Sequence, residues 1–366
     1  MLDLIIKNAK NTHDEILDIG VNNGKITHIG KIEQDANKII DLKCQTYVSF
    51  GWIDCHVHCY TKMDLYSDNP DIIGIKSGVA TIIDAGSCGA DNIDDFFAQS
   101  KTAKTNVYAM LNISRIGLVA QNELSKITNI EPSLVKKACE AHPSFILGLK
   151  ARMSKTVIGD NGITPLNMAL SMSNDTKLPL MVHIGSNPPT LEEILNLLGP
   201  GHIVTHCFNG KPNGIFDQST GKIKPCAHQA LNRGVAFDIG HGTDSFNFNV
   251  ATIAKNEDIY ATSISSDIYY RNRVNGPVFN LATTMEKLLH IGYSLPSVID
   301  KVTKSPAKLF NLKLKGEIIT GFDADLTIFD IINEEKELID SNAQKIVTNT
   351  QIIPKYTIVG GEVYEC

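Results

Sequence analysis

The chain has 366 residues, 43% of them hydrophobic and 20% charged, with a formal net charge of −6 and a pI near 6.0. This make-up suits a globular chain long enough for one large domain plus a modest second unit, and it argues against nucleic acid as a partner because no clustered basic surface is present. No apolar run is long enough to span a bilayer, the N-terminus lacks a signal-peptide layout, and the eight cysteines form no CxxC pair, so free thiols in a reducing, cytoplasmic compartment are expected.

Residues 1–50 read as short strands joined by turns: Leu4-Ile5-Ile6, Ile16-Leu17-Asp18-Ile19 and residues 25–29, with a turn at Asn22-Asn23-Gly24. Eight apolar, β-branched runs follow, at 47–58, 79–85, 107–114, 145–152, 180–184, 203–207, 235–239 and 261–267. Helix-capable intervals lie among them, such as 92–101, 131–141, 190–198 and, after the last run, 278–290. Strands alternating with helices imply a parallel sheet, and eight repeats fit a closed barrel. An open doubly wound sheet would place a glycine-rich phosphate loop after its first strand, and none is there. Beyond residue 313 strand patterns return, at 324–329 and 355–359. Neither end has enough strands for a core of its own. The expected fold is α/β: a (β/α)8 TIM barrel at 51–312 with a small β-sandwich domain built from 1–50 and 313–366.

Polar residues collect at the carboxyl ends of the barrel runs, where such folds carry their active sites. The first run ends Asp54-Cys55-His56-Val57-His58-Cys59, and strand alternation turns His56 and His58 the same way. With 11 histidines in the chain, about 0.3 HxH pairs arise by chance, so the pair alone is weak. The fifth run adds His183, the sixth His206 and the eighth Asp267. Four imidazoles and a carboxylate on four separate strand ends form a nitrogen and oxygen donor set suited to zinc. Lys150 ends the apolar stretch Phe145-Ile146-Leu147-Gly148-Leu149, where a buried ammonium is costly. Three readings stand open for it: a lysine paired with a carboxylate, one that snorkels outward, and a neutral amine that has added carbon dioxide to give a metal-bridging carbamate. Arg152, two residues on, shares its direction and suits a substrate carboxylate or an ion pair with a nearby acid. Asn112, Ser114, Asn209, His241 and Tyr269 are further rim candidates for substrate, with Arg271 and Arg273 as lid or anion anchors; rim loops also need polar side chains simply to meet water. Cys207 faces away from the axis and reads as a buried structural thiol.

The order His56, His58, Lys150, His183, His206, Asp267 resembles the amidohydrolase superfamily, and within it the binuclear subtype with a carboxylated lysine. Gly321-Phe322-Asp323-Ala324-Asp325-Leu326 and Val359-Gly360-Gly361-Glu362-Val363 resemble that superfamily's C-terminal strands, and the segment before Gly51-Trp52-Ile53-Asp54 its N-terminal ones. Lys150-Ala151-Arg152, Thr205-His206-Cys207-Phe208-Asn209-Gly210 and Asp238-Ile239-Gly240-His241-Gly242 are most similar to bacterial dihydroorotase-like deacetylases, which often carry the names dihydroorotase or adenine deaminase.

The resemblance implies two divalent metals, expected to be zinc. His56, His58 and Asp267 would hold one and His183 and His206 the other, with N6-carboxylated Lys150 between them. A bridging hydroxide would attack an amide or ester of a small, carboxylate-bearing substrate, with Asp267 moving the proton. Barrels of this family often pair as homo-oligomers. A dihydroorotase is the first rival, yet the arginine of that group's HxHxR is replaced by Tyr60. A nucleobase deaminase is the second, yet the glutamate that the mononuclear deaminases carry three residues after the strand-five histidine is replaced by Ser186. A metal-free assembly protein is the non-enzyme rival, and such relatives lose ligands, whereas every ligand position here is filled.

Overall fold

A computed structural model describes residues 1–366. Seven parallel strands form one curled sheet in sequential order: β1 (Trp52–Val57), β2 (Val79–Ala85), β3 (Asn106–Asn112), β4 (Ile146–Met153), β5 (Leu180–Ile184), β6 (Ile203–Thr205) and β7 (Ala236–Asp238). Every residue of β1 and β2 is buried, as expected of parallel strands covered on both faces. Amphipathic helices supply the outer cover. Pro132–Ala141 turns Val135, Ala138 and Cys139 inward, and Leu191–Leu197 starts on a Thr190–Glu193 capping box and buries Leu191, Ile194 and Leu195.

The eighth run is not a regular strand. Residues 261–268 nevertheless hydrogen-bond to both edges of the sheet. On one side Ile239, His241 and Gly242 N–H groups donate to the carbonyls of Ser263, Ser265 and Ser266 at 3.0–3.2 Å; on the other, Asp267 N donates to His56 O at 2.7 Å and His58 N to Ile268 O at 3.0 Å. Its irregularity has a cause in the sequence. Ser263 and Ser265 turn their hydroxyls to Asp238 and Ser266 turns its own to Asp54, while Asp267 adopts φ +50°. Side chains that bond locally compete with ladder geometry.

Strands from both chain ends share a second sheet of eight. Tyr47–Phe50 pairs antiparallel with Leu326–Ile332 (Phe50 opposite Leu326), and Leu2–Lys10 is flanked by Ile16–Asn22 and Ala36–Asp41. Leu4, Ile6, Ile19 and Val21 from one end meet Leu326, Ile328 and Ile358 from the other in a small core of their own. A separate hairpin, Lys336–Ile339 with Lys345–Thr348, leaves this sheet, and its turn holds the barrel: Phe246 N donates to Ser341 Oγ at 3.1 Å and Phe248 N to Asp340 Oδ2 at 3.0 Å.

Trp52 ties the two sheets together. It is fully buried, its indole N–H donates to Ser49 Oγ at 3.1 Å, its backbone N–H donates to Thr327 Oγ1 at 3.1 Å, and its ring lies 5.4 Å from Phe329. Trp52→Ala should lower stability by about 3–5 kcal/mol, read as a lower urea midpoint at unchanged slope.

Candidate active site

A cavity of about 530 Å³ opens at the carboxyl ends of the barrel strands, and His56, His58, Lys150, His183, His206 and Asp267 all line it. His56 Nε2 and His58 Nε2 stand 3.3 and 3.2 Å from Asp267 Oδ1, and Lys150 Nζ lies 3.1 Å from His56 Nε2. Donor atoms of His56, His206 and Asp267 all fall within 4.8 Å of one another. The ring of His183 meets that of His206 nearly edge-on, with centroids 4.4 Å apart. Six side chains from five parts of the sequence thus converge on one floor.

Lone pairs of His56 and His206 face this floor because the far side of each of these rings is occupied. Thr205 Oγ1 gives its single proton to Asp238 Oδ2 at 2.8 Å and can therefore only accept from His56 Nδ1 at 2.9 Å, which leaves His56 Nε2 unprotonated. His206 Nδ1 donates to Gly240 O at 2.6 Å, with the same result. His58 Nδ1 pairs with Ser87 Oγ at 2.8 Å. Asp238 is buried and also accepts from Ser263 and Ser265 at 2.6 and 2.7 Å. Burial raises its pKa, and the three hydroxyl donors oppose that rise. Asp54, buried beside it, is pushed up to about 7 by desolvation.

Burial also disfavours the charged forms of His56, His183, His206 and Lys150. It pushes His56 and His183 well below the ordinary imidazole range and His206 down to about 4. Lys150, 1% exposed, is lowered by desolvation to about 8, and its hydrogen-bond partners are His56 Nε2 and Met181 Sδ at 3.4 Å. Three glycines give the cluster room. A Cβ on Gly86 would sit 2.7 Å from Lys150 Cβ, one on Gly240 2.1 Å from Thr205 Oγ1, and one on Gly242 2.4 Å from Asp267 Oδ2. Gly240 and Gly242 lie in a motif that the sequence displays; Gly86 carries no such signal.

The expected substrate contacts divide. Tyr269 lines the cavity, hydrogen-bonded to Thr243 Oγ1 at 2.9 Å and packed edge-on against Tyr66 at 4.8 Å. Asn112, Ser114, Asn209 and His241 do not line it. Each is buried and spent on the scaffold: Asn112 donates to Gly86 O at 3.0 Å, Ser114 to Glu123 O at 3.2 Å and Asn209 to His206 O at 2.8 Å. His241 donates to Gly242 O at 2.8 Å and accepts from Lys287 Nζ at 2.7 Å. Tyr66, Gln121, Ser186 and Lys211 border the cavity instead, all on loops where residue type alone gives no signal.

Arg152 borders the cavity but is already paired. Its Nε and Nη2 donate to Glu123 Oε1 and Oε2 at 2.7 and 2.6 Å, and the Glu123 side chain is fully buried. Breaking such a pair from one side strands a charge. Arg152→Met should therefore cost about 3–5 kcal/mol of stability in denaturant unfolding, and adding Glu123→Leu should restore much of it.

Residues 318–365 match the family described as a Deacetylase-like composite domain. Along nearly its whole length the chain is similar to a deacetylase of Enterococcus faecalis, 55% identical over 365 residues and 99% of each chain. Two solved structures superpose closely. One is described as an adenine deaminase (TM-score 0.99, 55% identity, all of both chains), the other as a dihydroorotase (TM-score 0.92, 32% identity, 100% of this chain and 99% of that one). The chain is a hydrolase, and it belongs to the dihydroorotase-like deacetylase family of the amidohydrolase superfamily.

Proposed function

We propose that the chain is a binuclear metallohydrolase that removes an acyl group from the amide or ester nitrogen or oxygen of a small carboxylic acid. The observation that carries this is the floor itself: four imidazoles, one carboxylate and one desolvated amine on a single cavity wall.

The donor set fits two divalent ions. His56, His58 and Asp267 would hold one, His183 and His206 the other, and Lys150 as a carbamate would give an oxygen to each. The fit rests on neutral imidazoles whose Nε2 lone pairs face inward at His56 and His206, and on an amine lowered enough to add carbon dioxide. Such ions supply a nucleophile from water near neutral pH and a Lewis acid for the carbonyl oxygen. Asp267, partly exposed to the cavity, takes the proton from the attacking water and returns it to the leaving nitrogen or oxygen. Tyr66 and Tyr269 wall the opening and limit water around the bound acyl group. The irregular segment 261–268 closes the barrel as its eighth strand, and residues 1–50 with 313–366 form the flanking β-sandwich domain.

Ring opening of dihydroorotate is the second reading, favoured by the 32%-identical neighbour. Tyr60 weighs against it, because its hydroxyl donates to Asp95 at 2.8 Å and its ring packs on Phe96, so that position offers the substrate nothing. Nucleobase deamination is weaker still, since Ser186 stands where a glutamate would act.

Zinc loading followed by metal analysis should give about two equivalents per chain. Lys150→Ala should abolish activity, with partial return on adding short carboxylic acids; full activity without them would remove the carbamate. Thr205→Val takes away the acceptor that orients His56 and should weaken metal affinity roughly 10- to 100-fold at unchanged fold, measured by competition with a chelator. Acylated amino and hydroxy acids in both chiral forms should be cleaved in preference to dihydroorotate and adenine, and the reverse order would overturn the reading.

A further inference from the structure

Four basic side chains besides the imidazoles border the catalytic cavity: Lys150, Arg152, Lys211 and Arg271. Lys150 lies on the buried floor, and Arg152 has both arms on Glu123. Arg271 is exposed at the outer rim. Lys211 differs from all three. It is half-buried, its ammonium enters no ion pair or hydrogen bond, and the acids lining the catalytic cavity with it are Asp267, engaged with His56 and His58, and the exposed Asp244.

The loop that carries Lys211 is built to hold it still. It leaves β6 directly after His206, and the Asn209 side chain clamps both ends of the turn, donating to His206 O at 2.8 Å and accepting from Lys211 N at 3.0 Å. Gly214 N then donates to Lys211 O at 2.8 Å, and Lys224 Nζ crosses the loop to Pro212 O and Gly214 O at 3.0 and 2.8 Å. The Lys211 charge is felt by His183 and His206, whose protonation it opposes. Lys211 and Ser186 also border a second cavity of about 850 Å³, walled in part by Asn187, Asn213 and Gln229 and carrying the acids Glu192 and Asp217 with the cation Lys224. Lys211 thus marks the threshold between two chambers.

We propose that Lys211 is the substrate's carboxylate anchor: the acyl group lies over the metal-ligating floor, the carboxylate of the leaving acid meets the Lys211 ammonium, and the rest of that acid extends into the larger chamber. The substrate class is then an acylated amino or hydroxy acid whose free carboxylate is close to the scissile bond. This rests on the acyl-hydrolase reading above. A partly desolvated ammonium with no internal partner is stabilised most by an anion brought from outside, and a lysine accepts a carboxylate over a range of approach angles.

The test uses the zinc-loaded full chain with N-acetyl amino acids and O-acetyl hydroxy acids of both chiral forms, each beside its neutral primary amide. Lys211→Met should lower kcat/KM for the acids about 10- to 100-fold, mainly through KM, and for the amides by less than about 3-fold. Lys222→Met, which removes the same charge from an exposed hairpin, should leave the acid-to-amide ratio as it is. Equal losses on acids and amides, or a wild type with no preference for acids, would overturn the anchor. If no compound is cleaved, the acyl-hydrolase reading falls instead. The anchor is then read from thermal shifts with the same compounds: an acid-dependent rise in Tm that disappears in Lys211→Met supports it, and no such rise in the wild type overturns it.

Discussion

A primary amine buried against an imidazole at the bottom of a parallel sheet is the constraint on which the rest of the site depends. Lys150 has no carboxylate within ion-pair distance, and burial lowers its pKa to about 8, which makes the neutral amine far more accessible than in a free lysine. An ammonium there would face His56 Nε2 at 3.1 Å, while burial also disfavours protonation of His56, His183 and His206. Such an arrangement is poor as a structural ion pair and well matched to a neutral amine that can be modified. Of the readings open from the sequence, snorkelling is excluded by 1% exposure, and pairing with a carboxylate finds no partner.

Around that amine the scaffold spends its polar groups on orientation. Asp238 and Asp54 are buried carboxylates, which would be costly alone, yet the segment that completes the sheet gives Asp238 the hydroxyls of Ser263 and Ser265 and gives Asp54 the hydroxyl and backbone N–H of Ser266. One consequence is that the eighth segment loses regular strand geometry. Another is that the His56 tautomer is set by a threonine with one proton to give. Local irregularity and site order therefore have a common origin in Ser263, Ser265 and Ser266. Positive φ at His206 and Asp267 belongs to the same compromise, since both residues sit where the chain leaves the sheet and must still aim inward.

How much of this was legible in the sequence follows from the range of each signal. Strand alternation is local, so it turned His56 and His58 the same way, and apolar runs located Lys150, His183, His206 and Asp267 at strand ends. All six share one cavity. Rim polarity is not a comparable signal. Asn112, Ser114, Asn209 and His241 are polar at the expected positions, but whether a side chain serves substrate or backbone depends on carbonyls brought near by loops. Sequence alone does not decide between substrate and ion pair for Arg152, because Glu123 lies 29 residues away in an irregular segment, beyond any periodic spacing. The terminal strands were visible as strands; their pairing of Phe50 with Leu326 joins residues no local pattern connects.

The names carried by similar proteins, deacetylase, dihydroorotase and adenine deaminase, differ more than their folds do. This is what a shared floor with variable walls produces, because activation of water at the strand ends is indifferent to what the rest of the substrate looks like. Discrimination must come from the rim, and two positions decide most of it here. Tyr60, placed where the HxHxR pattern has arginine, turns to Asp95 and Phe96 instead of the cavity, so an anion held from the first strand is lost. Ser186, in place of a glutamate, takes away the acid that a mononuclear deamination would need, while it opens the wall toward the larger polar chamber. With Arg152 committed to Glu123, the proposed carboxylate-bearing substrate would take its positive charge from a later loop. On the proposed reading the acid would bind from the β6 side, an arrangement that suits hydrolysis of an open-chain acyl bond better than closure of a ring.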